Sequence, residues 1–146
     1  VEYLCGLLFG GTPDQLFDHP QRERTRQFIQ QIHEMHFLIE TKQFDWYAMT
    51  AQMEQFCLHY NLQRQQIFAV LHVIDETLAI LGTHPNTRLT LAYSEQEDTL
   101  QFIVNSPHAV DSSVFSQESD DIAVTILRNF SRNIHVDGST LRITIK

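Results

Sequence analysis

Lysine is nearly missing from this chain of 146 residues: Lys42 and Lys146 are the only two, and neither follows a glycine loop. No segment ends in Gly-Lys-Ser/Thr, which excludes a backbone cradle of that kind for nucleotide phosphates. Cysteine is as scarce. Cys5 lies beside Leu4, and Cys57 lies between Phe56 and Leu58, with no Cys-x-x-Cys spacing. Both are expected to be buried, reduced thiols of a cytoplasmic protein. No apolar run approaches the ~20 residues that span a bilayer, so direct membrane insertion is not expected. Positive charge is short overall, with 10 Lys and Arg against 18 Asp and Glu and a net charge of -8. That balance argues against nucleic acid as a partner, and Arg22, Arg24 and Arg26 are expected to be a solvated helix face. The chain opens on Val1 without Met and without a charged-then-apolar leader, as expected of a piece of a larger protein.

What is present suffices for one core, since 42% of the residues are apolar. Phe28, Ile32, Met35 and Ile39 recur at steps of four and three, which predicts a helix from Arg24 to about Glu40. Asp45 caps a second predicted helix with the stripe Trp46, Met49, Met53, Phe56 and Tyr60. A third carries Ile67, Val70, Leu71, Ile74, Leu78 and Leu81 and is closed by Gly82 with Pro85 behind it. Leu89, Leu91 and Tyr93, then Leu100, Phe102 and Val104, alternate with polar or small residues and predict an antiparallel hairpin. A loop from Asn105 to Ser119 leads to a fourth helix, capped by Ser119, Asp120 and Asp121, with Ile122, Ile126, Leu127 and Phe130 inward. A last hairpin turns at Asp137-Gly138 and puts Leu141, Ile143 and Ile145 on one face. The sum is an α+β two-layer sandwich, helices packed on one face of a mostly antiparallel sheet.

The stretch from Gly11 to Phe28 carries its own punctuation. Thr12 suits an N-cap, Pro13 the first helical position, and Pro20 stops the short helix between them. Thr12-Pro13, Leu16-Phe17, Pro20, Arg24-Thr25 and Phe28 resemble, in order, the tail after the nucleotide-binding fold in ATP-binding subunits of polar amino-acid ABC transporters. The run Tyr3-Leu4 and Leu7-Leu8-Phe9 looks like the last β-hairpin of such an ATPase, with Gly10 where that family tends to carry an acid. The resemblance implies that residues 1–22 are a hairpin and short helix ending an ABC ATPase-like domain and that residues 23–146 are a C-terminal accessory domain. It implies a parent that drives amino-acid import with ATP and Mg, partners in that parent ATPase domain and the transporter permease, a possible homodimer, and a cytoplasmic place against the inner face of the cell membrane. No Leu-Ser-Gly-Gly run of the ABC signature occurs, so this piece itself is expected to be no enzyme, with no catalytic residue, metal or cofactor of its own.

From Gln63 to Lys146 the order of elements resembles the ATP-binding domain of histidine kinases and related GHKL proteins. Glu76, within Ile67 to Leu81, aligns with that family's helical Glu. The positions that handle nucleotide there depart from the family. Ile80 stands where the metal-binding Asn would be, and a hydrocarbon cannot ligate a hard cation. Val104-Asn105-Ser106-Pro107 replaces Asp-x-Gly, and His108 to Asp121, in place of the lid, has no glycine. The expectation is a sandwich that has lost its nucleotide chemistry; the alternative is a nucleotide-binding or kinase-related domain using a changed set of ligands around Glu76 and Asn105.

Other candidates are weaker. His33 and His36 fall one turn apart on the expected first helix, but His-Glu-Met-His is not the His-Glu-x-x-His zinc motif, and partly exposed helix residues are expected. Asp75 and Glu76 are adjacent on a helix and so point about 100° apart, which does not make an acid/base pair. Ser112, Ser113, Ser116 and Ser119 have no Gly-x-Ser-x-Gly context and belong to a polar loop.

Overall fold

A computed structural model describes residues 31–116 and 118–146. The hairpin and short helix expected over residues 1–22, the boundary after residue 22, Cys5, the arginines at 22, 24 and 26 and the Gly11 to Phe28 motif lie outside the described residues. Residues 34–93 and 99–146 make one compact unit, and residues 31–33 and 94–98 belong to a second. In the second, the Glu95 N–H donates to the Gln31 carbonyl at 3.2 Å, and His33 Nε2 lies 3.3 Å from Glu95 Oε1.

The first described element corrects a sequence expectation. Residues Ile32–Ile39 are a strand, β1, and not the end of a helix. Its exposure alternates: His33, Met35, Phe37 and Ile39 are covered, while Glu34, His36 and Leu38 are exposed. Met35 and Ile39 satisfy a helical period, but Phe37 and the aromatic and β-branched content satisfy the period of two.

Helix α1, Trp46–His59, starts where Asp45 Oδ1 accepts from the Ala48 N–H at 3.0 Å. Met49, Met53 and Cys57 recur at steps of four and are fully buried. The expected partners Trp46, Phe56 and Tyr60 are half-buried against the same core. Helix α2, Arg64–Leu81, opens with a reciprocal cap in which Gln66 Oε1 accepts from the Gln63 N–H at 2.8 Å. It buries Ala69, Val70, Val73, Ile74, Thr77 and Leu78. Gly82 ends it with φ +80°, a conformation that favours glycine, and its N–H bonds the Leu78 carbonyl at 2.8 Å.

Strands β2, Thr87–Ser94, and β3, Thr99–Asn105, form the expected hairpin. Helix α3, Ile122–Asn129, is capped by Asp121, whose Oδ1 accepts from the Ala123 N–H at 2.9 Å. Its inward positions differ from the expected set. Val124 and Leu127 are buried, Ile126 and Phe130 are half-buried, and Ile122 is 75% exposed. The Val124 and Leu127 positions share a face at a step of three, and Ile122 lies about 200° from Val124. Strands β4, Ser131–Asp137, and β5, Thr140–Ile145, close the chain around Gly138 at φ +61°.

The five strands form one antiparallel sheet in the order β1-β2-β3-β5-β4. Phe102 faces Ile143 and Val104 faces Leu141 across β3 and β5, while a bulge between Ser131 and Asn133 shifts the β4–β5 register. The alternate residues Leu89, Leu91, Tyr93, Leu100, Phe102, Val104, Leu141, Ile143 and Ile145 join the buried sides of α1, α2 and α3 in a single core. The fold is therefore the α+β two-layer sandwich, three helices on one face of the sheet. Each fully buried Leu, Ile, Val, Phe or Met side chain adds about 1.5–3 kcal/mol relative to exposure, so this layer contact holds the fold together.

Candidate functional site

Two regions bear on a candidate site. The first joins the end of α2, the end of β3 and the following loop, where nucleotide chemistry was sought in the sequence. Glu76 is half-buried on α2, and its carboxylate makes no hydrogen bond or ion pair among the described residues. Ile80, one turn on, is half-buried and packs against the core. Asn105, the last residue of β3, is exposed, and its Oδ1 accepts from the Thr140 hydroxyl at 2.9 Å. No hydrogen bond brings Glu76 and Asn105 together, and the Asn105 acceptor is occupied by β5.

The loop beyond Asn105 satisfies itself. The Ser106 N–H donates to the Ser139 carbonyl and the Val110 N–H to the Gly138 carbonyl, both at 2.9 Å, tying the loop to the β4–β5 turn. Asp111 Oδ1 accepts from the Ser113 N–H at 3.0 Å and from the Ser113 hydroxyl at 2.7 Å, which opens a short 3₁₀ turn, Ser112–Phe115. The Ser113 hydroxyl and N–H hold the Asp111 carboxyl below its usual range. Ser116 Oγ accepts from the Glu118 N–H at 3.0 Å, and Ser119 Oγ from the Asp121 N–H at 3.3 Å. Ser113, Ser116 and Ser119 thus bond the chain beside them, a role typical of serine in turns. The His84 and His108 rings meet edge to face at 5.3 Å at this end of the sheet, a juxtaposition that neither residue's sequence context announces. Among the described residues no group of three or more His, Cys, Asp or Glu is placed to hold a metal ion.

The second region is an open cleft of ≈ 760 Å³ between β1 and α1. Met35, Ala51, Phe56 and Leu58 supply its apolar lining. Among the described residues His36, His59, Gln52 and Gln55 supply its polar lining, and no Asp, Glu, Lys or Arg takes part. The strand conformation of β1 separates the histidines that were expected to share a helix face. Three residues apart on a strand, they point to opposite faces. His33 is half-buried beside Glu95, whereas His36 Nδ1 lies 2.9 Å from the hydroxyl of buried Thr90 on β2. Sequence reading missed His59, because the cleft it lines is completed by residues of a different element, β1.

Cys57 lies on the buried side of α1, next to the cleft in sequence but fully covered. Burial, with a smaller contribution from the Glu54 carboxylate, pushes its thiol up to about 11. A thiol so protonated and enclosed is a packing residue and a poor nucleophile.

No family model matches the chain, and no curated protein matches it either. Among the described residues no helix is long and apolar enough to cross a membrane.

Proposed function

We propose that the chain is a C-terminal accessory module, regulatory or dimerising, of an ATP-binding subunit of an amino-acid ABC transporter, without hydrolytic motifs of its own. The observation that carries this reading is the Gly11 to Phe28 motif; beside it, the sequence departs at Ile80 and at residues 104–107 from the residues a GHKL domain uses for nucleotide. Ile80 packs on the core, Asn105 accepts from Thr140, and in the following loop Asp111, Ser116, Ser119 and Asp121 accept from backbone N–H groups of their own turns. Such a module acts on its parent through differential stability. If it dimerises or binds a ligand better in one arrangement of the motor, it shifts the closure equilibrium by that difference in free energy. In this reading ATP, Mg and the permease belong to the parent, and the module sits at the inner face of the membrane through the transporter. The test is ATP hydrolysis and solute uptake by the parent with and without residues 31–146. A changed rate or a changed substrate dependence is expected, and identical rates at every substrate concentration would refute regulation.

One observation favours a second reading. The order from α2 through the β2–β3 hairpin, loop, α3 and β4–β5 hairpin follows the order seen in GHKL nucleotide-binding domains. A kinase-related domain using Glu76 and Asn105 would bind ATP with magnesium and lose it in Glu76→Ala.

A further inference from the structure

Among the described residues, strand β4 ends the sheet on one side, with β5 as its neighbour. Gly138 and Ser139 make the turn between them, and Asp137 pairs with Thr140 at its close. A turn of two residues makes the closing pair a hydrogen-bonded one, and bonded and non-bonded pairs alternate from there. Asn133, His135 and Asp137 therefore bond toward β5, while Ile134 and Val136 turn their N–H and C=O groups outward. Among the described residues no hydrogen bond reaches those outward groups. The side chains of Asn133, His135 and Asp137 are exposed, and those of Ile134 and Val136 are half-buried against the core on the helix side.

An open edge is a template for another strand, and proteins blunt such edges with a bulge or a charge along them. On β4 these devices stand at the ends. The bulge lies between Ser131 and Asn133, and the charged residues are Arg132 and Asp137, so the stretch from Ile134 to Val136 is regular and uncharged on its helix side. We infer that this edge pairs antiparallel with β4 of a second copy of the chain, joining the two sheets into one. The strand is complementary to itself in that direction, because the Arg132 end of each copy meets the Asp137 end of the other. One register uses both outward residues of each strand. It sets Ile134 opposite Val136 of the second copy as hydrogen-bonded pairs, Asn133 opposite Asp137, and His135 opposite His135 on the two-fold axis. The pairing gives the dimerising form of the proposed function a surface, yet it belongs to the chain itself: failure of the transporter assignment would leave it untouched.

The test uses the whole 146-residue chain. One edge strand makes a small contact, so sedimentation equilibrium between about 10 μM and about 1 mM is expected to show monomer and dimer in exchange. Val136→Pro removes an outward N–H at an edge position, where proline is tolerated, and is expected to weaken association by about tenfold or more. Two exposed substitutions read the register without touching the core. With His135→Cys, mild oxidation by glutathione disulfide is expected to bridge position 135 of one copy to position 135 of the other, identified by peptide mass, because opposed non-hydrogen-bonded residues lie within disulfide reach. With Asn133→Cys no such bridge is expected, since the two positions would stand four residues apart along the strands, roughly 13 Å. A monomer at every concentration, association indifferent to Val136→Pro, or bridging at position 133 as ready as at position 135 would each overturn the pairing.

Discussion

The layer contact beneath α2 and the loop between β3 and α3 are held by opposite means. The first is a seam of apolar side chains, among them Ile74, Phe102 and Ile143, each with no exposure at all. The second is a chain of short-range hydrogen bonds in which Asp111, Ser116, Ser119 and Asp121 each serve a backbone N–H two residues on. A seam of that kind sets global stability, because removing one side chain leaves a void that close-packed neighbours fill only in part. Bonds of the other kind fix local shape in contact with water, where each is worth little net. The contrast bears on function. In this loop the Asp111 and Asp121 carboxylates cap the backbone that follows them.

The largest effect that sharpens this contrast is expected at the centre of the seam. Phe102→Ala should cost about 3–5 kcal/mol in chemical denaturation, and a loss comparable to that of a surface change would break the comparison. Next in size is the alkaline limit set by Cys57. Its native pKa is raised above the unfolded value near 9 to about 11, so the associated stability is complete below about pH 9 and is lost as pH rises toward 11. The loss should approach about 2 kcal/mol and vanish in Cys57→Ala, as measured by denaturation across that window. Smaller again is Thr77. Its hydroxyl is fully buried with no hydrogen-bond partner among the described residues. Thr77→Val should therefore stabilise by about 1 kcal/mol, visible as a raised denaturation midpoint. On the loop side, Asp121→Ala removes the α3 cap and should cost about 1 kcal/mol. Asp111→Ala should leave the denaturation midpoint unchanged while speeding amide exchange at Ser113.

Much of this fold is legible in the sequence because local signals agree. Asp45 and Asp121 are N-caps, Gly82 occupies a positive-φ C-cap, and the alternation of Leu100, Phe102 and Val104 is that of a strand with one covered face. β1 departs from the helical expectation because Met35 and Ile39 satisfy two periods at once, and only pairing beside β2 decides between them. α3 was rotated because Ile122 is as apolar as Val124, and a helix this short has too few turns to reveal which side meets α2. The committed state of Asn105 was illegible because its partner, Thr140, lies on β5. The cleft is illegible for the same reason: its lining comes from two elements, β1 and α1.

The most direct test of a domain without phosphate chemistry is calorimetric titration of the chain with ATP and magnesium. The expected result is no saturable heat at micromolar or low millimolar nucleotide, the same for the natural chain and for Glu76→Ala. Micromolar binding that disappears in Glu76→Ala would contradict it and return the α2 and β3 ends to service as a nucleotide site.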